Sequence, residues 1–525
     1  MGRGPRAAWA EDQPAVTSPY DVIVIGAGLG GLAAGALLAK RGLEVAVLER
    51  HNIAGGYATS FVRGRYEFEV SLHVLTDVGT PERPGNLRLL LRALDLEDEV
   101  DIQLVPTFSR SVFPGLDVEL PMDRAGFEEA ICTAVPTARR GVQRFLDRVM
   151  AIAREADGLS ATFAQPKGVR LRRLLTIPLR LRAMPRYLFT TLEQVLDHDV
   201  DHPRARALLC QAWSYVGLPP SRCSFLFYAA ALGSMLRHAC GYPRLRSQGL
   251  SNALAECLRR NGGELRLACG AERITLSDGR ASGVVTESGE HLRSRTVVSN
   301  AGPVPTLAGL VGREHLPTGA LDGLRRYQVG TSIFQVYLGV ARPIEALGLD
   351  SHEIMLNEDD DVEAHYQRGF TFERPGHMLI GCPNTAVPEL SPPGTSAVTL
   401  TAMVHGDPWV ALSPDAYFEH KHRVADHMIG WAEELAPGLR DAVEVVEVGT
   451  PLTMMRYAGH LGGAIYGFES STTGHTLLRP PPVSPVPGLF YVGAWTNPGG
   501  GYWPALSSGQ MIGEILASKL KGEDG

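Results

Sequence analysis

An α/β fold carrying α+β inserts is predicted by three observations. Residues 21–49, DVIVIGAGLGGLAAGALLAKRGLEVAVLE, run strand, glycine turn, helix, strand and acid. After a stretch that reads as largely helical, the period changes at Gly262-Gly263 to short strands. A strand, glycine and helix then return at 488–516.

The first element is a dinucleotide-binding βαβ unit of the Rossmann type. Val22 to Ile25, opened by Asp21, form the apolar strand, and Val45 to Leu48 form the second. Gly26 allows the tight turn, Gly28 lets backbone approach a pyrophosphate, and Gly31 lets helix and strand pack closely. Leu29 and Gly30 open the helix, whose free N–H groups and dipole favour a diphosphate. Glu49 ends the second strand and can accept hydrogen bonds from ribose hydroxyls. A carboxylate there repels a 2′-phosphate, which leaves FAD or NAD. Arg50, next along, belongs with the cofactor-binding set.

Residues 1–18 lack an apolar signal core and read as a disordered leader. No run of 18 apolar residues exists. From 80 to 240 the pattern reads as largely helical. ELRLAC, ERITLS, ASGVVTES and HLRSRTVVS read as strands, with Asp278-Gly279 and Ser288-Gly289 as turns. SIFQVYLGV (332–340) and SAVTLTAMV (396–404) read as strands, followed by a helix near 416–435. The expected division is a nucleotide domain from 19–79, 241–310 and 450–520, and a discontinuous substrate domain from 80–240 and 311–449. Ligands are then expected between the two.

The net charge of −7 argues against a general nucleic-acid binder. The seven cysteines form no CxxC pair and no His/Cys cluster, so reduced thiols, a cytoplasmic setting and no metal site are expected.

Three features favour FAD over NAD. Gly55-Gly56 follows the acid by a short loop and suits close approach to a second phosphate or the ribityl chain. The late element GLFYVGAWTNPGGGYWPALSSGQMIGEIL delivers Gly493 from a strand, and Gly499, Gly500 and Gly501 let backbone pass a flat ring. The helix opened by Pro504 can stabilise negative charge on a reduced flavin. No second GxGxxG serves a nicotinamide.

These motifs carry a resemblance. The chain resembles the flavoprotein desaturases and isomerases typified by bacterial phytoene desaturase, plant carotenoid isomerase and retinol saturase. The fingerprint, Glu49 and Gly55-Gly56 resemble that family's FAD signature. YEFEVSLHVL (66–75), WSYVGLPPS (213–221), RYAGHLGGAIYGFE (456–469) and LFYVGAWTNPGGGYWPALSSG (489–509) are similar to its further segments. The resemblance implies an FAD-binding domain of the glutathione reductase/amine oxidase type. It also implies hydride exchange between flavin N5 and carbon–carbon bonds of a lipophilic, polyene-like substrate. Desaturation, saturation and redox-neutral isomerisation all remain open. Family members usually carry Gly at Ser71 and Gly-Gly at Leu245-Arg246, positions expected to line the flavin or the substrate channel. An arginine at 246 suits a substrate carboxylate or a flavin carbonyl; a solvated surface arginine is the plainer reading.

His73 is a candidate proton donor or acceptor near the flavin edge, or a satisfied structural residue at a strand end. Arg456 is a candidate facing the substrate, or a surface ion-pair partner; Tyr502, with Trp503, could wall the ring or simply pack. KGVRLRRLLTIPLRLRAMPR (167–186) carries seven bases and no acid, and reads as peripheral membrane contact or as a solvated cationic face. Two rival functions share such a fold: a flavin amine oxidase, and a flavin-free prenyl-lipid escort protein.

Overall fold

The computed structural model describes residues 20–163 and 181–522. The leader at 1–18 and most of the basic stretch at 167–186 lie outside them. Of that stretch, Arg182, Ala183 and Met184 donate backbone N–H groups to the Glu155 carboxylate, each at 2.8 Å.

The first sheet is built around three parallel strands, Tyr20–Ile25, Val45–Leu48 and His291–Ser299, with Tyr20–Ile25 in the middle. Glu264–Arg266 extends it beyond Val45–Leu48, and Leu489–Tyr491 adds to the far side of His291–Ser299. Their apolar, β-branched runs suit strands covered on both faces. The N-terminal half of His291–Ser299 turns antiparallel onto Arg280–Thr286, which pairs with Ala271–Ser277. The strands expected between 264 and 299 are therefore present.

Helix Leu29–Lys40 is buried on almost every side, which is why Ala, Gly and Leu fill it. It packs on Arg246–Arg260 and on the last helix, Tyr502–Leu520. Contact with the last helix depends on small residues. A Cβ on Gly509 would stand 2.2 Å from the Gly30 carbonyl oxygen; on the sheet side, one on Gly35 would stand 2.8 Å from a methyl of Val47 in strand Val45–Leu48.

A second sheet runs Val443–Gly449, Ser332–Val340, Ser396–Val404, His377–Gly381, Glu353–Asn357, Thr107–Phe113 and Leu116–Pro121. Strands 332–340 and 396–404 occupy the residues predicted for them. Helix Pro414–Leu435 covers one face, against Ile354 and Leu356. Alternation turns Glu353, Met355 and Asn357 to the opposite face. There a helical layer includes Arg139–Phe163 and Phe225–Arg237.

One sequence expectation is corrected here. The segment read as helical from 80 contains three strands: Ile102–Val105, Thr107–Phe113 and Leu116–Pro121. Thr107–Phe113 alternates buried and half-buried residues toward its end, and Gly115 at φ +75° closes its turn to Leu116–Pro121. That period of two, followed by glycine, is a hairpin signal.

Candidate functional site

Three neighbouring strands end at one place. Tyr20–Ile25 delivers Gly26, His291–Ser299 delivers Asn300, and Leu489–Tyr491 delivers Gly493 after Val492. This is the carboxyl edge of the sheet, where open α/β folds bind their ligands. A cavity of about 590 Å³ opens there and runs from the glycine turn into the helical layer.

The expected cofactor residues converge on it. Gly26 takes φ +93°, open to glycine alone without strain. Gly28, Leu29 and Gly30 line the cavity, and no side chain caps the helix at Gly28. The first-turn N–H groups therefore lack intrahelical acceptors at the cavity wall. Gly31 lies behind this wall: its Cβ would sit 2.0 Å from the Gly26 carbonyl oxygen, the close packing its position predicted. Gly55 and Gly56 line the cavity next to Gly28, with Gly55 N–H donating to the Ala27 carbonyl at 2.8 Å. Glu49 lines it too, and its carboxylate accepts from Ala27 N–H at 2.8 Å and His51 N–H at 2.9 Å. Arg50 also lines it and reaches across to the Arg456 carbonyl at 3.0 Å.

Gly493, packed against Gly30, meets the cavity, and so do Gly500, Gly501, Tyr502 and Trp503. The close approach at Gly500 is to protein: its Cβ would stand 2.4 Å from Tyr466 Cα. Arg479 holds this region from behind. Its buried guanidinium donates to the carbonyls of Ala494, Tyr466 and Phe468 and to the Ser470 hydroxyl. Burial pulls its pKa down to about 10.

Two cavity-lining residues escaped sequence reasoning at this end. Asn300 stands among three glycines: Cβ atoms on Gly28, Gly30 and Gly493 would each approach its amide within 2.8 Å. The SNAGP run after a strand was its only signal. His460 lines the cavity, held by the Ala464 carbonyl at 2.8 Å, and burial drops its pKa to about 4, so it is neutral there.

The candidate catalytic residues separate. His73 lines the cavity, in irregular chain after strand Tyr66–Glu69 rather than at its end. Its Nδ1 lies 3.3 Å from Glu353 Oε1. Burial favours the neutral imidazole, but Glu353 outweighs it and raises the pKa above the ordinary histidine value. The Tyr502 hydroxyl reaches the Tyr57 carbonyl at 3.2 Å and the Ser71 hydroxyl at 3.3 Å, and burial pushes its pKa far up. Arg456 is not brought to the cavity: it is exposed, with its guanidinium over the Tyr457 ring.

Leu245 and Arg246 also fail to line the channel. Leu245 is exposed, while Arg246 is buried, pairs with Glu67 at 2.9 Å and donates to the Leu390 carbonyl. Neither a substrate-facing nor a solvated arginine describes it. Ser71 does line the cavity. Two of the four family-like segments contribute Tyr215, from 213–221, and residues including His460, Ile465 and Tyr466, from 456–469.

The flavin-containing amine oxidoreductase family model matches residues 29–511. The chain belongs to this family. It is 26% identical over 526 residues to prolycopene isomerase 1, chloroplastic, of an Oncidium hybrid cultivar, covering 99% of this chain and 86% of that protein. It is 24% identical to all-trans-retinol 13,14-reductase of Danio rerio over 86% of this chain and 78% of that one. The fold matches cyclohexylamine oxidase from Brevibacterium oxydans with a TM-score of 0.62 at 16% identity, covering 96% and 100% of the two chains.

FAD is the cofactor and the protein is an oxidoreductase of this family. The residues fit the group. The uncapped helix start offers N–H donors for the diphosphate, the crowded glycines leave backbone exposed, and Glu49 supplies the ribose acceptor. The seven cysteines are free and all but Cys269 are buried, and no helix among the described residues is long and apolar enough to cross a membrane.

Proposed function

We propose that this enzyme works on the C–C or C=C bonds of a lipophilic, polyene-like molecule. The bound flavin supplies hydride exchange at N5. The observation that carries the reading is the inner half of the cavity, which leaves the glycine turns and enters the helical layer. Phe227, Ala230, Ala231 and Met235 of helix Phe225–Arg237 line it, facing Ala156 of Arg139–Phe163. A wall that is mostly apolar, with Ser234 and Asp157 as its polar members, suits a hydrocarbon chain. The names of the isomerase and the retinol reductase, which align over most of this chain, support the same class.

The chain's own residues have separable tasks in this reading. Glu49 and the first turn of Leu29–Lys40 anchor the cofactor. Neutral His460, Tyr502 and Trp503 bound the reaction space and exclude water. His73 holds a proton at the substrate side. The proposed domain division assigns 19–79, 241–310 and 450–520 to the cofactor and the two inserts to the substrate. Peripheral membrane contact through 167–186 would bring such a substrate to the entrance; liposome co-sedimentation with Arg170, Arg172 and Arg173 changed to Glu tests it, and unchanged binding refutes it.

The deciding experiment is anaerobic mixing of the yellow holoprotein with polyenes and with simple amines, followed by mass analysis. Flavin bleaching or product formation with polyenes alone supports the reading. Bleaching by amines alone transfers the protein to the amine oxidases, and a colourless protein that refuses FAD revives the escort reading.

A further inference from the structure

Glu353 is a buried carboxylate among polar side chains, with His73, Tyr215, Tyr242 and His352 around it. It opens strand Glu353–Asn357, and its side chain is 2% exposed. A carboxylate taken that far from water needs partners. Its Oε2 accepts the Tyr215 hydroxyl. Its Oε1 lies 3.3 Å from His73 Nδ1 and has no aligned hydrogen-bond donor among the described residues. His73 and Tyr215 both line the large cavity, ring edge to ring face at 6.1 Å. Two cavity-wall groups thus converge on one carboxylate behind the wall.

Behind it lies a second void of about 10 Å³, bounded by Glu69, His73, Tyr242, His352, Glu353 and Thr399. That is the room of one water. The Tyr242 hydroxyl, also a wall of this void, has no partner among the described residues. The His73 backbone is fixed as well, since His352 Nε2 bonds its carbonyl at 2.8 Å.

We propose that His73, Glu353 and Tyr215 form a proton-exchange centre of the substrate cavity. His73 gives and takes the proton, and Glu353 positions it and sets its charge. The inference rests on the reading that the cavity holds the substrate. With Nδ1 turned to Glu353, Nε2 is the ring nitrogen left for the cavity. The step is proton transfer alone. The Nε2–H bond breaks, its electron pair stays on the ring and the proton goes to the substrate, or the reverse occurs. Glu353 stays a carboxylate and Tyr215 a phenol throughout.

The neighbouring titratable groups leave this assignment intact. Glu69 adds a weaker pull on the His73 proton and is itself held by Ser247. His352 is kept neutral by burial, and the thiols of Cys240 and Cys382 and the hydroxyls of Tyr242 and Tyr466 are all pushed upward by it.

The test starts without substrate. Histidine side chains of the holoprotein are labelled with nitrogen-15 and titrated by NMR, with the His73 signal assigned by its absence in His73→Gln. Removing an opposite charge at this distance moves a pKa by ~1–3 units, so Glu353→Gln should carry the His73 midpoint from above to below ~6.5. If that variant does not fold, Glu353→Asp replaces it, with a smaller fall expected. The second arm uses all-trans-retinol in deuterium oxide. The wild type should place solvent deuterium on the polyene, and His73→Gln should slow this ~10²-fold or more with polyene affinity within ~3-fold.

A His73 midpoint that stays within ~0.3 units in the Glu353 variant, or deuterium uptake unchanged in His73→Gln, overturns the centre. If the wild type binds no polyene, the substrate reading falls instead. The proton centre is then decided by the titration alone.

Discussion

Gly31 and Gly158 both sit inside helices, yet replacing each by alanine should have opposite effects. In an open helix, Gly→Ala gains ~1 kcal/mol because alanine has less backbone freedom to lose. Gly158, in helix Arg139–Phe163, is exposed and has nothing within 4 Å of an added Cβ among the described residues, so a gain is expected. At Gly31 the Cβ would lie 2.0 Å from the Gly26 carbonyl oxygen and 3.3 Å from a Val24 methyl. Ordinary contact begins near ~3.5 Å, so the helix would have to retreat by more than an ångström. The obstacle is backbone and cannot rotate away, so the upper end of the overpacking cost applies, ~3 kcal/mol. Less the propensity gain, Gly31→Ala should lose ~2 kcal/mol, and the two variants should differ by ~3 kcal/mol. The retreat also draws the first-turn N–H groups away from the cavity, so flavin should be lost with stability. Urea unfolding followed by far-ultraviolet circular dichroism gives the first quantity, and the visible-to-280 nm absorbance ratio gives the second. A Gly31→Ala protein as stable and as yellow as the wild type would refute the packing argument.

Other perturbations separate the remaining parts. Gly28→Ala meets only the Asn300 amide, 2.6 Å away on a side chain that can turn, and its φ of −72° is unstrained; stability should change by less than ~1 kcal/mol while flavin content collapses, read by absorbance after gel filtration. Arg479→Met strands acceptors on Ala494, Tyr466 and Phe468 and should cost ~3–5 kcal/mol in urea unfolding. Burial holds His377 near a pKa of about 3 and His405 near about 4, with His460 also at about 4. These folded values lie below the unfolded one, so the stabilising neutral form is complete above ~6.5 and is lost as pH falls from there toward 4 and 3. Each should subtract ~2 kcal/mol by pH 5, and the slope of melting temperature between pH 7 and 5 should shrink in His377→Gln.

What was legible in the sequence was local. The βαβ unit could be read because strand, glycines, helix and acid are contiguous, and each glycine serves a neighbour within the motif. Strands 332–340 and 396–404 were legible because their apolar runs are long and end in turn residues. The hairpin at 107–121 was missed because its alternation is diluted by Arg110 and Asp117, which pair across its two strands at 2.7 Å and so look helical or loop-like in isolation. Arg246 was misjudged for a related reason. Its partners, Glu67 and the Leu390 carbonyl, lie 179 and 144 positions away. Nothing near it in the chain announces that its charge is buried.

The same distance effect hid the proposed proton centre. Glu353 comes from the second sheet, His73 from irregular chain after strand Tyr66–Glu69, and Tyr215 from the short helix Trp213–Val216. A motif reader sees three ordinary residues, because the spacing between them carries no period. They meet only because Glu353–Asn357 turns its odd-numbered residues toward the layer that also supplies the cavity wall. A scaffold built this way separates two tasks. Cofactor binding is written in contiguous glycine turns at strand ends, where any shift of a Cβ is felt. The proposed substrate chemistry rests on side chains aimed from different layers, where single exchanges leave the backbone in place. Proteins sharing the first and differing in the second can keep the flavin while changing what is done with it, and the Glu353–His73 distance is where that difference should be sought.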